Sequence, residues 1–415
     1  MINKLTSGEL AAQARVQRSP LRLVTEQRRV MTAAQELAFL QQAHATKPTP
    51  ASRQKLAKLL IFEERLTEAH QLLTNVADLH ANECLMLASC CLQLDRPDLD
   101  REAAEVAQRV FSLTEDGKFH SAALAFTGKV LIRQGDLAAA QQVLRRALEL
   151  DPANLDACKR LAFVHMKNGD DRGFAATADL LARKGVKHCR LFAAQVLSLA
   201  RNGQREEAQD LWGFDRFAKQ DTIAPPAGWS DLEAFNSDLA EELLTHPGMR
   251  FDRIGSASNQ TWRVEHPLRE DRPAIAALAD LLIDRIVARS TALDAMNHPW
   301  IKARPNSAFL RMWSVTTDSD GFEDWHVHQF GWMSGVYYVR VPQSISAGDS
   351  DGGCLKFGLP DDLAGSAIAA DFGHRLLRPR DGLMTTFPSH VYHRTFPHAT
   401  GEKRICMGYD VRPID

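Results

Sequence analysis

The sequence predicts a multidomain α + β chain, an N-terminal α-helical solenoid followed by a sandwich or jelly-roll β domain with flanking helices. Three observations predict it. Residues 1 to about 215 are rich in Ala, Leu, Gln, Glu and Arg, with apolar residues at helical spacing and few β-branched ones. Gly135, Gly169 and Gly203 recur every 34 residues within QGD, NGD and NGQ. The segment 306–342 instead alternates aromatic and β-branched residues with polar ones, as in FLRMWSV and SGVYYVRV, which is a strand period.

A chain of 415 residues is long for one core, and a prior of about 150 residues per domain suggests two or three. DTIAPPAGWSD (221–231) breaks any helix through Pro225, Pro226 and Gly228. We therefore divide the chain into 1–220 (repeats), 221–305 (linker and helical lead-in) and 306–415 (β core). Hydrophobic residues make up 45% and charged residues 25%, the balance of a soluble globular protein. A net charge of −2 gives no hint of nucleic acid or a membrane surface. The seven cysteines are scattered without a CxxC pair, which argues against a disulfide framework and for a reducing compartment. The N-terminus lacks an apolar signal region, and no window approaches 18 apolar residues, so the expected location is the cytoplasm.

In the helical part, the unit 121–154 carries small Gly128 in its first helix, Gly135 at the turn, Ala140 and Ala147 in its second helix, and Pro152 beyond it. Small residues let two helices approach closely, a glycine ends the first with a positive φ, and a proline stops the second. The unit resembles the tetratricopeptide repeat, a 34-residue helix–turn–helix. Units at 155–188 and 189–216 keep the glycine, one near 50–83 keeps Ala69, and 84–118 is irregular at LDRPDLD. Such solenoids present a groove. Peptide or protein binding is one reading, and a rigid spacer or dimerisation surface, hence a homodimer, is the other.

Residues 230–300 read as helical again. Ser230 is the expected N-cap of the first run, with Glu233 completing a capping box, and NQTWR (259–263) is a candidate strand between the runs. Beyond 306 the chain reads as strands and loops.

Six of the fifteen histidines fall within 326–398. In EDWHVHQFGW, strand parity points His326 and His328 to one face, where two imidazoles can share a metal. His393, in FPSHVYHRTFP, is the natural third ligand from a neighbouring strand. Imidazole suits Fe, Zn, Cu or Ni, so the residues alone leave the metal open. His390 is expected in a second layer or exposed, and His374 and His398 at the surface.

The HVH pair is followed in order by SGVYYVRVP (334–342), DGGCLKF (351–357), RPRDGLMTTFPSHVYHRTFP (378–397) and EKRICMGYDV (402–411). With these motifs, residues 229–414 resemble the 2-oxoglutarate/Fe(II) oxygenase family that shares the double-stranded β-helix of the prolyl hydroxylases. The resemblance implies Fe(II) as metal and 2-oxoglutarate and O2 as cosubstrates. It makes His326 and His393 metal ligands, with His328 where the wider superfamily has a carboxylate. Asp324, which shares the strand parity of His326, is a rival third ligand, and His328 would then contact cosubstrate or substrate. Arg404 would anchor the distal carboxylate of 2-oxoglutarate, in keeping with bidentate guanidinium chemistry, and Cys406 replaces a frequent Ser two residues on. Tyr338 would donate to the same carboxylate or pack in the core, and Tyr337 faces away. The implied activity is hydroxylation; the repeat array makes a peptide or protein side chain the leading substrate, so a 221–415 fragment should turn over 2-oxoglutarate but lose substrate coupling. The alternatives are an interaction scaffold with a degenerate oxygenase-like domain and a cupin-like three-histidine enzyme that does not use 2-oxoglutarate.

Overall fold

The computed structural model describes residues 18–25, 31–74, 76–252 and 257–414. Paired antiparallel helices fill the region from Ala33 to Trp212. Gly135, Gly169 and Gly203 have φ of +81°, +67° and +78°. The next amide in each case reaches back five residues to close the helix: Asp136 to Leu131, Asp170 to His165, Gln204 to Leu199. Glu64 (φ +60°) and Asp95 (φ +53°) make the same left-handed turn without glycine, which is why the register fades in the earlier units. A Cβ on Gly128 would sit 2.6 Å from Leu144 Cδ2, so the close approach of those two helices needs the glycine.

The strands are β1 (Arg22–Thr25), β2 (Lys219–Thr222), β3 (Met249–Phe251), β4 (Ser258–Val264), β5 (Ser307–Glu323), β6 (Met333–Arg340), β7 (Leu355–Phe357), β8 (Arg375–Leu377), β9 (Leu383–Pro388), β10 (His393–Thr395) and β11 (Arg404–Pro413). Among the described residues the large sheet runs β2-β9-β6-β11-β5-β4-β3, with β1 parallel to β5, and β10-β7-β8 form a small sheet over it. Alternation gives the large sheet two apolar faces. Tyr337, Met407 and Tyr409 face helices Leu232–Leu244 and Pro273–Leu293, and the Tyr337 hydroxyl donates to Asn236 Oδ1 at 2.6 Å. Trp313, Tyr338, Cys406 and Phe387 face the small sheet.

The repeats and the β domain share one core. Leu197, Ala208 and Trp212 lie in the same buried cluster as Phe357, Leu359 and Phe372. Arg201 Nη1 donates to Leu363 O at 2.8 Å and Gln209 Nε2 to Phe372 O at 3.0 Å. His390 and His298 meet the last carbonyls of helix Arg205–Trp212, at Leu211 and Asp210, each at 3.0 Å.

Two expectations change. The N-cap of Leu232–Leu244 is Asp231, not Ser230: its carboxylate accepts from the Ala234 amide, and Ser230 Oγ donates to Asp231. Short helices at Gln343–Ser346, Asp361–Ala364 and Ser366–Phe372 interrupt the strands beyond 306. Pairing crosses the division at 220, since β1 and part of β2 lie before it and join the sheet. A 221–415 fragment would also lack the helices that share its core. No helix among the described residues is long and apolar enough to cross a membrane.

Candidate metal centre

β5 ends at Glu323, and the HVH segment follows as extended chain rather than as part of the strand. His326 exchanges both backbone hydrogen bonds with His393, at 3.0 and 3.1 Å, and the His328 amide donates to Ser389 O at 3.1 Å. This pairing, not a continuous strand, carries His393 to the HVH pair. The His326 and His328 rings stack at 5.3 Å and 18°, so they point together as parity requires. Ligand nitrogens of His326, His328 and His393 lie within 4.8 Å of one another, a grouping that could hold a metal ion.

The outer ring nitrogens are committed. Nδ1 of His326 meets Asp324 O at 2.7 Å, Nδ1 of His393 meets Val391 O at 2.9 Å, and Nδ1 of His328 meets Asp410 Oδ1 at 2.6 Å. Two acceptors are carbonyls and one a carboxylate, so each Nδ1 carries a hydrogen and Nε2 is the nitrogen left to ligate. His393 Nε2 and His328 Nε2 stand 3.2 Å apart. Lone pairs at that distance repel unless a proton or cation lies between them. Burial pushes His393 well below the ordinary imidazole range and lowers His326 as well, which favours the neutral, ligating form. Burial works to raise the Asp410 carboxyl, but His328 and Arg412 more than offset it, and it stays below its ordinary value.

Asp324 is exposed, and its Oδ1 accepts from the Trp325 amide, so its carboxylate is outside the cluster and only its carbonyl serves His326. Asp410 is the residue that sequence reasoning missed. Arg404, Cys406, Gly408 and Asp410 share a face of β11 by simple alternation, so the signal was the parity of Arg404 itself.

Arg404 is 3% exposed, and its guanidinium lies over the Tyr338 ring at 5.6 Å. Its Nη1 meets Thr317 Oγ1 at 3.4 Å, while Arg404 Nε and the Tyr338 hydroxyl are buried without a partner. No ion pair to Arg404 occurs among the described residues; Glu323, the nearby acid that acts on it, is paired with Arg263 at 3.0 Å. A buried guanidinium lacking a counter-ion is costly, and a carboxylate ligand would supply one. The donor set therefore fits the distal end of 2-oxoglutarate.

His398 is not at the surface: it is buried, with Nε2 3.2 Å from Thr317 Oγ1. His390 is not exposed; it is buried against the repeats, its ring tilted at 49° to Phe192 with centroids 5.4 Å apart. His374 is exposed as expected. A second trio, His70, Cys91 and Glu102, also lies within ligand range. Its His70–Glu102 pair is closed at 3.0 Å, and burial pushes the Cys91 thiol up to about 12, so it reads as a satisfied structural contact.

A cavity of about 440 Å³ opens onto His326. Lys159, Phe163 and Arg190 of the repeat helices wall one side, and Trp325 and Tyr392 of the β domain the other.

Residues 311–410 match the family described as "Putative 2OG-Fe(II) oxygenase", and residues 131–195 match the tetratricopeptide repeat. No curated protein matches the chain. Among solved structures it is similar to a Pseudomonas putida prolyl-4-hydroxylase, with 15% identity over 49% of this chain and 96% of that one and a TM-score of 0.35. It is also similar to YrrB, "a TPR protein with an unusual peptide-binding site" (16% identity, 42% and 91% covered, TM-score 0.31). PilW, a type IV pilus biogenesis factor, is similar at 16% identity, with 45% and 86% covered and a TM-score of 0.38. Within the chain, a tetratricopeptide-repeat match at 131–195 precedes a "Putative 2OG-Fe(II) oxygenase" match at 311–410.

Proposed function

We propose that the chain is an Fe(II)- and 2-oxoglutarate-dependent dioxygenase that hydroxylates a side chain of a peptide or protein held by the repeats. The observation that carries this reading is the convergence of three Nε2 lone pairs whose Nδ1 partners are all fixed. His326, His328 and His393 would hold the metal, and Arg404 with Tyr338 the distal carboxylate of the cosubstrate. Fe(II) with 2-oxoglutarate and O2 supplies the oxidising power to hydroxylate an unactivated C–H bond, with release of succinate and CO2.

The chain's own part is positional. Three neutral imidazoles bring no charge to the metal, and the buried Asp410 carboxylate supplies a negative charge one hydrogen bond away. Arg404 and Tyr338, both buried, would orient the cosubstrate. The cavity at His326 admits the substrate between the repeat helices and the metal centre.

The test is anaerobic addition of Fe(II) and 2-oxoglutarate to the full chain, followed by visible absorption. A weak charge-transfer band, lost in Arg404→Met, is the expected result. No iron uptake would favour the scaffold reading, and iron uptake with activity indifferent to Arg404→Met the cupin-like one.

A further inference from the structure

A second cavity, of about 550 Å³, is lined by the chain that follows the HVH segment, Gln329 to Trp332. Gln329 lines both cavities, and helix Cys189–Arg201 walls both, with Arg190 and Leu197 in one and Cys189 and Phe192 in the other. The two adjoin at Gln329 as a cleft between the repeats and the β domain, and the first cavity reaches the metal centre at His326.

The charge of this cleft is one-sided. Lys159 and Arg190 line the first cavity, Lys187 and Arg412 the second, and no Asp or Glu is among the described residues lining either. That asymmetry stands out in a chain with 52 acidic and 50 basic residues. Asp362, next to the lining residue Leu363, is an exposed acid at the rim, and three other nearby acids are engaged. Asp156 pairs with Arg190 at 2.8 Å, Asp410 lies 3.5 Å from Arg412 and 2.6 Å from His328, and Asp324 accepts from its own loop. Lys159 and Lys187 form no ion pair among the described residues. The Nε1 of Trp325, beside His326, is a buried donor without an acceptor, as is the Nε of Arg412. Apolar side chains share the lining with Gln329, His188 and Tyr392: Phe163, Ala193 and Leu197 near the metal centre, Phe309 and Phe330 at the far end.

Resting on the oxygenase reading above, we infer that the substrate is an acidic peptide segment lying extended in this cleft, with its carboxylates on Lys159 and Lys187 and its target side chain at His326. Cations and acceptor-seeking donors set the sign of the partner. The apolar helix wall suits side chains better than a phosphate backbone, which needs a continuous basic track. Nucleic acid is therefore an outcome of the test rather than the proposal.

The test uses the metal-free full chain and fluorescence anisotropy, so binding is read apart from iron chemistry. The probes are labelled peptides of about 12 residues, roughly 40 Å when extended: one rich in Glu with Leu and Phe, the same peptide with Gln for Glu, and one with Lys for Glu. A single-stranded oligonucleotide is the fourth probe. The Glu peptide is expected to bind at least about tenfold more tightly than the Gln and Lys peptides, with affinity falling as salt rises. Lys159→Glu and Lys187→Glu should each weaken it about three- to tenfold. Lys184→Glu, exposed and outside the cleft, should leave it within about twofold, since rim and remote charges contribute little. Equal binding of the Gln peptide, preference for the oligonucleotide, or an equal effect of Lys184→Glu would overturn the inference. If the acidic peptide fails while the iron–2-oxoglutarate band forms, only the substrate class falls. If it binds while the band is absent, the catalytic reading falls.

Discussion

Asp410→Asn separates charge from geometry at the metal centre. Asp410 is 2% exposed, and its Oδ1 accepts from His328 Nδ1 at 2.6 Å and from Ser334 Oγ at 2.7 Å. An Asn carbonyl can occupy the same place and accept the same two hydrogens, so His328 keeps its tautomer and orientation. What disappears is the negative charge that makes His328 a stronger base toward a cation. Loss of an outer-layer partner of this kind costs about 10- to 100-fold in metal affinity, equal to about 1.4–2.7 kcal/mol. The metal-free protein should be somewhat less stable than the wild type near neutral pH, because His328 and Arg412 hold the ionised carboxylate below its ordinary pKa and that stabilisation goes with the charge. The assay is anaerobic Fe(II) titration followed through the absorption of the 2-oxoglutarate complex, with thermal unfolding of the metal-free protein as the control. A folded Asp410→Asn protein that binds Fe(II) as tightly as the wild type would refute the idea that the missing carboxylate has moved one hydrogen bond outward.

Other perturbations follow from the same geometry. Arg404→Met should raise the Kd for 2-oxoglutarate by about 30-fold or more, the effect of about 2 kcal/mol from losing a buried charge partner, and isothermal titration of the iron-loaded protein checks it. Gly335→Ala would place a Cβ 2.1 Å from Thr385 O in the adjoining strand, so backbone must shift; a loss of about 1–3 kcal/mol is expected in urea unfolding. His390 is held down to about 4 by burial, opposed by its bond to Leu211 O. Since the unfolded chain takes up that proton first, near pH 6.5, its stabilising share is complete above that value. It is lost as pH falls toward 4, by about 3 kcal/mol. The pH slope of unfolding should flatten in His390→Asn; an unchanged slope would show that the proton is carried elsewhere.

Much of this was legible in the sequence, and what was not has specific causes. The 34-residue spacing of Gly135, Gly169 and Gly203 works because each glycine meets a backbone requirement, a left-handed turn. Glu64 and Asp95 meet the same requirement at a steric cost that tertiary packing covers, so no residue type announces them. Parity grouped His326 with His328 correctly even though the segment is not a strand, because extended chain alternates its side chains with or without sheet neighbours. The capping signal went one residue astray because Ser230 and Asp231 are both good caps, and the carboxylate reaches the Ala234 amide. His390 and His398 were misplaced for a common reason: each is buried by segments distant in sequence, Leu211 in one case and Thr317 in the other. Nothing local to a histidine reveals such a partner.

The last consequence concerns what the repeats are for. If they only recruited substrate, residues 221–415 would fold alone and the array would be a detachable adaptor. The contacts argue otherwise. Phe357 packs on Phe214 with ring centroids 4.3 Å apart, Phe372 on Trp212 at 5.2 Å, and Trp300 on Phe217 at 5.1 Å. Cutting before residue 221 strips one partner from each. Re-exposing three such side chains costs about 5–9 kcal/mol at about 1.5–3 kcal/mol each, comparable with the whole stability of a typical domain, about 5–15 kcal/mol. The cut also removes β1 from beside β5 and leaves the His298 and His390 ring nitrogens without their carbonyls. The 221–415 fragment is therefore expected to lack a cooperative urea transition and to aggregate, whereas the full chain unfolds cooperatively. A soluble fragment with a sharp transition and intact iron binding would refute this, and would return the repeats to the role of a tethered adaptor. Otherwise the helices that face the substrate also hold up the wall of the metal centre, and changes on the repeat side of the cleft should reach the chemistry.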